Sequence, residues 1–216
     1  MLAVRDLAFA YSRNGEELFN GLSHDFTAGR VTAVTGPSGR GKSTLLYVLG
    51  LMLTPSRGHV LLNGESMTGV PDALRSRKRA RSIGFVFQDA ALDPHRPVLD
   101  SVIEPALYAG SSVRRARPRA LQLLDQLGVA ARADHRPGQI SGGQAQRVAV
   151  CRCLITDPDV ILADEPTGNL DRENSQEVLR ALAAATGRSD GRPGRTVVIA
   201  THDPFVIGNV DEVLSL

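Results

Sequence analysis

Apolar and polar positions along the chain repeat with a period that changes from strand to helix and back. Leu2 to Tyr11 alternates apolar and polar, the two-residue period of a strand. A polar turn over Ser12 to Glu17, containing Asn14-Gly15, leads into extended structure from Leu18 to Phe26. Four later runs differ: Arg30 to Thr35 (R-V-T-A-V-T), Ile83 to Phe87, Val160 to Ala163 and Thr196 to Ala200 are short and almost uniformly apolar. Such runs belong to strands covered on both faces, the habit of parallel sheets. His59 to Leu62 is a short strand ending at an Asn63-Gly64 turn, and Val213 to Leu216 reads as an edge strand.

Helical spacing fills the intervals. Ser43 to Leu53 opens as an apolar helix that Thr54 to Gly58 breaks, and Gln144 to Ile155 and Arg172 to Ala185 are two more helices. From Asp100 to Gly128 the recurrence of Val102, Ile103, Ala106 and Leu107, then of Leu121, Leu124 and Leu127, is helical throughout. No strand pattern follows until Val160, and Pro137-Gly138 closes the stretch. A basic run, Arg75, Arg77, Lys78, Arg79 and Arg81, reads as the solvated face of a short helix. The run alone leaves open a role near anionic lipid headgroups.

Strands alternating with helices predict an α/β fold with a mainly parallel sheet, an N-terminal antiparallel β part and an inserted α-helical subdomain. The 216 residues suit one domain, with 1–88 and 156–216 as the α/β core and 89–155 as the helical subdomain. A hydrophobic content of 42% sustains a core of that size. The net charge of +2, the absence of tryptophan and 4% aromatics argue against nucleic acid as a partner. Cys151 and Cys153 lie two apart on a helix and point to different faces, so they read as packing residues and not as a disulfide. Neither a signal peptide nor a bilayer-spanning run is visible, which predicts a soluble, cytoplasmic chain.

The chemistry begins at Gly36 to Thr44, G-P-S-G-R-G-K-S-T, between a buried strand and a helix. The run fits the phosphate-loop pattern, in which glycines let backbone N–H groups form a nest for phosphate oxygens and the following helix aims its positive end at the same anion. Gly36, Pro37, Ser38, Gly39, Arg40, Gly41, Lys42, Ser43 and Thr44 are therefore candidate nucleotide-binding residues. Lys42 adds a mobile charge for the terminal phosphates, and the Ser43 hydroxyl is a candidate Mg²⁺ ligand. Asp164 and Glu165 end an apolar strand where ligand sites of such sheets gather; either they are solvated turn residues or they serve the phosphate loop. In the second case Asp164 suits Mg²⁺ and Glu165 suits the attacking water. Ile140-Ser141-Gly142-Gly143-Gln144 is a serine N-cap with bare backbone around it, a second helix end directed at an anion.

In this order the motifs resemble those of the nucleotide-binding subunit of an ATP-binding-cassette transporter, over about Val4 to Val213. Gly36 to Thr44 is similar to the Walker A motif and Val160 to Glu165 to the Walker B motif. Ile140 to Gln144 is similar to the family signature, Asn169-Leu170-Asp171 to the D-loop, Gln88 to the Q-loop glutamine and His202 to the H-loop histidine. The resemblance implies a P-loop NTPase core of the ABC type that binds and hydrolyses ATP with Mg²⁺. It implies that Tyr11 stacks on adenine, that Gln88 contacts Mg²⁺ or the attacking water, and that His202 contacts the γ-phosphate and helps position Glu165. Glu165, His202 and Gln88 become the catalytic candidates and Ser43, Gln88 and Asp164 the metal candidates. His24, His59, His95 and His135 read as structural.

The family further implies that Ser141 and Gly143 of one copy face the γ-phosphate held by the phosphate loop of the other in a twofold pair, with Gly142, Gln144 and Asp171 as further nucleotide-binding candidates. A homodimer closing on two ATP molecules would then drive an integral-membrane permease from the inner face of the cell membrane. The run from Ala163 to Asp171 looks most like the branch serving lipoprotein release, macrolide and antimicrobial-peptide export, and cell division. Export or lipoprotein extrusion is the leading expectation, with mechanical signalling across the membrane as the alternative. Cassette proteins acting on DNA or ribosomes usually carry coiled-coil insertions or two cassettes, which this chain lacks, and intact Glu165 and His202 speak against an inactive regulator. Two departures stand out: Ile140 replaces the usual leucine, and the Thr186 to Arg195 loop is longer than typical. No C-terminal regulatory domain is expected.

Overall fold

The computed structural model of the chain describes residues 1–12, 15–188 and 191–216. Asn14, of the predicted Asn14-Gly15 turn, and two residues of the predicted 186–195 loop lie outside them. The strands are β1 (Leu2–Phe9), β2 (Leu18–Phe26), β3 (Val31–Thr35), β4 (Arg57–Leu62), β5 (Glu65–Ser66), β6 (Ile83–Val86), β7 (Val160–Asp164), β8 (Thr196–Ala200) and β9 (Glu212–Ser215). The helices are α1 (Lys42–Leu49), α2 (Asp72–Ser82), α3 (Val98–Tyr108), α4 (Val113–Gln126), α5 (Gly142–Leu154), α6 (Arg172–Ala185) and α7 (Pro204–Ile207). The fold is α/β, as the alternation predicts. β6-β7-β8-β3-β9 form a parallel sheet, and β2-β1-β4-β5 an antiparallel one.

The uniformly apolar strands are explained by the two faces they serve. Val160 and Leu162 of β7, with Val198 and Ala200 of β8, join an apolar cluster that holds Leu45, Leu46, Val48 and Leu49 of α1 and Leu2, Val4, Phe26 and Val60 of the antiparallel sheet. The residues between them, Ile161, Ala163, Val197 and Ile199, point the other way, into a cluster built with α3, α4, α5 and α6. A strand buried on both faces has no polar face to alternate with. This second cluster runs unbroken from the sheet into the helical stretch, through Val102, Leu124, Ala149 and Val178.

Several boundaries differ from the sequence pattern. The predicted helix from Ser43 to Leu53 starts at Lys42 and stops at Leu49, because Gly50 caps it and Leu51 turns left-handed at φ +59°. The amides of Met52 and Leu53 then both donate to the Tyr47 carbonyl, leaving no partner to continue the helix. The first strand ends at Phe9, so Tyr11 stands outside it. The predicted Asp100 to Gly128 stretch is two helices, α3 and α4, each with an internal proline. α2 carries the basic run and buries none of its residues; Arg75 pairs with Asp72, Lys78 with Glu65, and Arg79 donates to the Leu51 carbonyl. Cys151 and Cys153 are free thiols buried in α5, and burial pushes both up to about 12, as inert packing residues require.

Candidate functional site

The phosphate loop joins β3 to α1. Gly36, Gly39 and Gly41 have φ of +142°, +85° and +90°, values that residues with a Cβ seldom adopt. Gly41 is the N-cap of α1, so that end has no side-chain cap, and no acidic residue lies in its first turn. The leading amides of an α-helix have no partner inside it, and here no side chain takes their place. The Lys42 ammonium donates to the carbonyls of Gly36 at 2.9 Å and Pro37 at 3.3 Å, which keeps the cation over the loop. Pro37, Ser38, Gly39 and Arg40 are exposed at its outer edge. Thr44 is buried, and its Oγ1 lies 2.7 Å from the hydroxyl of Tyr11, whose ring packs edge-on against Phe9 and remains 71% exposed. A nest of backbone donors, one mobile cation and one exposed aromatic ring thus share one helix end.

Parallel pairing brings the acids to this end. β7 neighbours β8 in register, Asp164 opposite Ala200, so the residues that follow each strand emerge side by side. Asp164 accepts from Ser43 Oγ at 2.9 Å and, with its other oxygen, from the Tyr47 hydroxyl at 3.4 Å. Burial raises the Asp164 carboxyl above the ordinary carboxylate range, and the nearby Glu165 charge adds to this against the Ser43 and Tyr47 hydrogen bonds. Burial and the Asp164 charge likewise raise the Tyr47 phenol. Ser43 and Asp164 form a pair of hard oxygen donors at the loop, the donor chemistry Mg²⁺ prefers.

Glu165 follows Asp164 but faces elsewhere. Its backbone is left-handed at φ +44°, and its amide donates to the Ala200 carbonyl at 2.9 Å. That turn carries its carboxylate to the end of β8, where Thr201 Oγ1 donates at 3.1 Å to one oxygen and His202 Nδ1 sits 2.7 Å from the other. Thr201 is fully buried, while the His202 side chain is 76% exposed. A carboxylate held at both oxygens has its direction fixed, and so can orient a water or take up its proton. Gln88 lies just beyond β6, and a Cβ added at Gly168, in the turn after Glu165, would stand 3.4 Å from its Nε2.

Ser141 caps α5. Its Oγ accepts from the Gln144 amide at 3.2 Å, and the Gln144 side chain accepts from the Ser141 amide at 3.1 Å, a reciprocal capping box. Ser141 and Gly142 are exposed, whereas Gly143 is buried. A Cβ on Gly143 would stand 2.0 Å from Asn174 Oδ1, so glycine is needed there for the close approach of α5 to α6. Asn174 is itself held by Asp171, the N-cap of α6, which accepts from its amide at 2.8 Å and from its side chain at 3.0 and 2.9 Å. The Asn174 backbone donor, followed by its side-chain amide, holds the Asp171 carboxyl below the usual range. Among the described residues, no hydrogen bond joins residues 141–144 to residues 36–44.

One constellation therefore collects the phosphate loop, Tyr11, Asp164, Glu165, His202 and Gln88, and a second collects Ser141 to Gln144 with Asp171. Sequence reasoning missed three members. Tyr47 stands four residues after Ser43, one turn along the same helix face. Thr201 precedes His202 at a strand end, so both had local signals. Asn174 meets Gly143 only through the packing of two helices and had none.

Fold and site define a phosphate-loop ATPase with a second, separately built helix end. The chain matches the ABC transporter family over residues 19–168, more than half its length, and it belongs to that family. It is an ATPase that binds ATP. It is 40% identical over 209 residues to a lipoprotein-releasing system ATP-binding protein LolD of Paramagnetospirillum magneticum, covering 97% of this chain and 91% of that one. It is 43% identical over 187 residues to an uncharacterized ABC transporter ATP-binding protein of Thermotoga maritima, covering 87% and 78%. Among solved structures, the dimeric post-hydrolysis state of the ATP-binding cassette MJ0796 with ADP and Pi superposes with a TM-score of 0.87 at 32% identity, covering 100% and 94%. No helix among the described residues is long and apolar enough to cross a membrane.

Proposed function

We propose that this ATPase works as a pair of copies closing on two ATP molecules and drives a separate integral-membrane permease at the inner face of the cell membrane. In this reading residues 1–88 and 156–216 are the ATP-binding core and residues 89–155 the helical subdomain. Lys42 and the amides of Gly36 to Thr44 bind phosphate, and Tyr11 stacks on the base. Ser43, Asp164 and Gln88 would hold Mg²⁺, which would neutralise phosphate charge. Glu165 orients the attacking water and accepts its proton, His202 holds Glu165 and the terminal phosphate, and Gln88 contacts the same water. Ser141, Gly142, Gly143, Gln144 and Asp171 act on the nucleotide of the partner copy. The similarity to lipoprotein-releasing proteins supports extrusion of a lipoprotein or peptide.

The observation that carries this reading is the two-point grip on Glu165 by Thr201 and His202, next to the Ser43–Asp164 pair. The test is Glu165→Gln, which keeps shape and removes the base. Hydrolysis should fall by about 100-fold or more while an ATP-dependent dimer accumulates on size exclusion. Undiminished hydrolysis would remove Glu165 from the mechanism.

A further inference from the structure

The turn that carries Gln88 is held in a conformation its own sequence does not favour. Ala90 and Ala91 are consecutive left-handed residues, at φ +54° and +48°. A Cβ makes this region costly, and a glycine pair would adopt it freely. Ala90 is buried, so part of the turn is packed in place. The turn closes on itself through the Ala90 amide to the Phe87 carbonyl, and a second hold comes from α5. The Arg152 guanidinium donates from its two terminal nitrogens to the carbonyls of Ala91 and Ala90, each at 2.6 Å. Earlier on the same helix, Gln146 donates from its side chain to the Phe87 carbonyl at 2.9 Å. From the other side, Asn169 donates to the Asp89 carboxylate at 3.0 Å. Gln88 is thus pinned on both flanks by a helix that lies more than fifty positions away in sequence.

We infer that Arg152 is a positioning residue for Gln88: its planar fork clamps the two left-handed carbonyls and ties the Gln88 turn to α5. A lysine offers one point charge and cannot span both carbonyls with the same fixed geometry. Because α5 opens directly after Ser141, the clamp makes one helix answer to two places. This inference rests on the reading that Gln88 acts at the ATP site.

A double-mutant cycle on steady-state ATP hydrolysis by the purified chain tests it. Arg152→Lys should lower kcat about tenfold, with KM for ATP changed less than about twofold. In a Gln88→Ala background the same substitution should cost less than about twofold, because its effect passes through Gln88. Ala91→Val gives the test without touching α5: a β-branched residue cannot keep the left-handed turn, and position 91 is exposed. It should reproduce both results per folded molecule, with the melting temperature lowered by the strain at position 91, and it carries the test if Arg152→Lys fails to fold. Losses that multiply with that of Gln88→Ala overturn the inference and leave the role of Gln88 standing. So does a loss explained wholly by a smaller folded fraction. If Gln88→Ala alone leaves the rate unchanged, the reading of Gln88 falls and the inference falls with it.

Discussion

The N-termini of α1 and α5 look alike in sequence and are built differently. Each follows a glycine-containing turn, and each reads as a helix end directed at an anion. At α1 the cap is a glycine, no side chain covers the first amides, and Lys42 stands beside them. At α5 the Ser141–Gln144 box satisfies the cap from within, and Gly143 is wedged against Asn174. The open end leaves its amides for a ligand, whereas the closed end is capped from within, with Ser141 and Gly142 exposed, Gln144 half-exposed and Gly143 buried. The difference suggests a division of labour, one end to hold phosphate and the other to meet it as a preformed surface.

The largest effect should come from removing the cation at the open end. Lys42→Ala should abolish hydrolysis by about 100-fold or more and weaken ATP binding to a single chain, measured by titration with a fluorescent nucleotide. The closed end should respond in the opposite manner. Gly143→Ala sets a methyl against Asn174 and displaces the start of α5, so hydrolysis should fall by about tenfold while nucleotide binding to the single chain stays within about twofold. Asn174→Ala in the same chain removes the clashing atoms and should recover part of that rate. Equal loss of binding in Lys42→Ala and Gly143→Ala would erase the distinction between the two ends.

The smallest effect belongs to a region with neither role. Asp157, before β7, accepts from Arg192 and Arg195 and lies 3.8 Å from Arg188. Burial works against ionisation of Asp157, but these hydrogen bonds and charges outweigh it and hold the carboxyl below the usual range. A depressed carboxylate contributes stability above the ordinary aspartate range and loses it as pH falls through the depressed value. Asp157→Asn should therefore lower the melting temperature at neutral pH by about 2–5 °C, a figure discounted for the partial exposure of the group. The gap to the parent should close on acidification, with hydrolysis per folded molecule unchanged.

Much of this was legible before the fold, for physical reasons that differ by element. The phosphate loop and the two acids were readable because their chemistry is local: glycines, a lysine and a strand end are adjacent in the chain. The parallel sheet was readable because burial on both faces leaves uniformly apolar runs. The sequence pattern carries α1 too far because apolar residues continue past Gly50, while Gly50 and the left-handed Leu51 stop the helix. The grip on Glu165 depends on β7 lying beside β8, and the hold on Gln88 depends on a contact between residues 90 and 152. Neither leaves a periodic trace, so only the fold reveals them.

The central claim is that the open end of one copy works with the closed end of another, and a mixing experiment tests it directly. Lys42→Ala and Ser141→Arg chains are each expected to be inactive alone. If the two ends act across a pair, mixed dimers contain one site with both lesions and one intact site, and an equimolar mixture should recover up to about a quarter of the parent rate. If both ends act within one chain, every site carries a lesion and the mixture stays as inactive as its components, which would contradict the account.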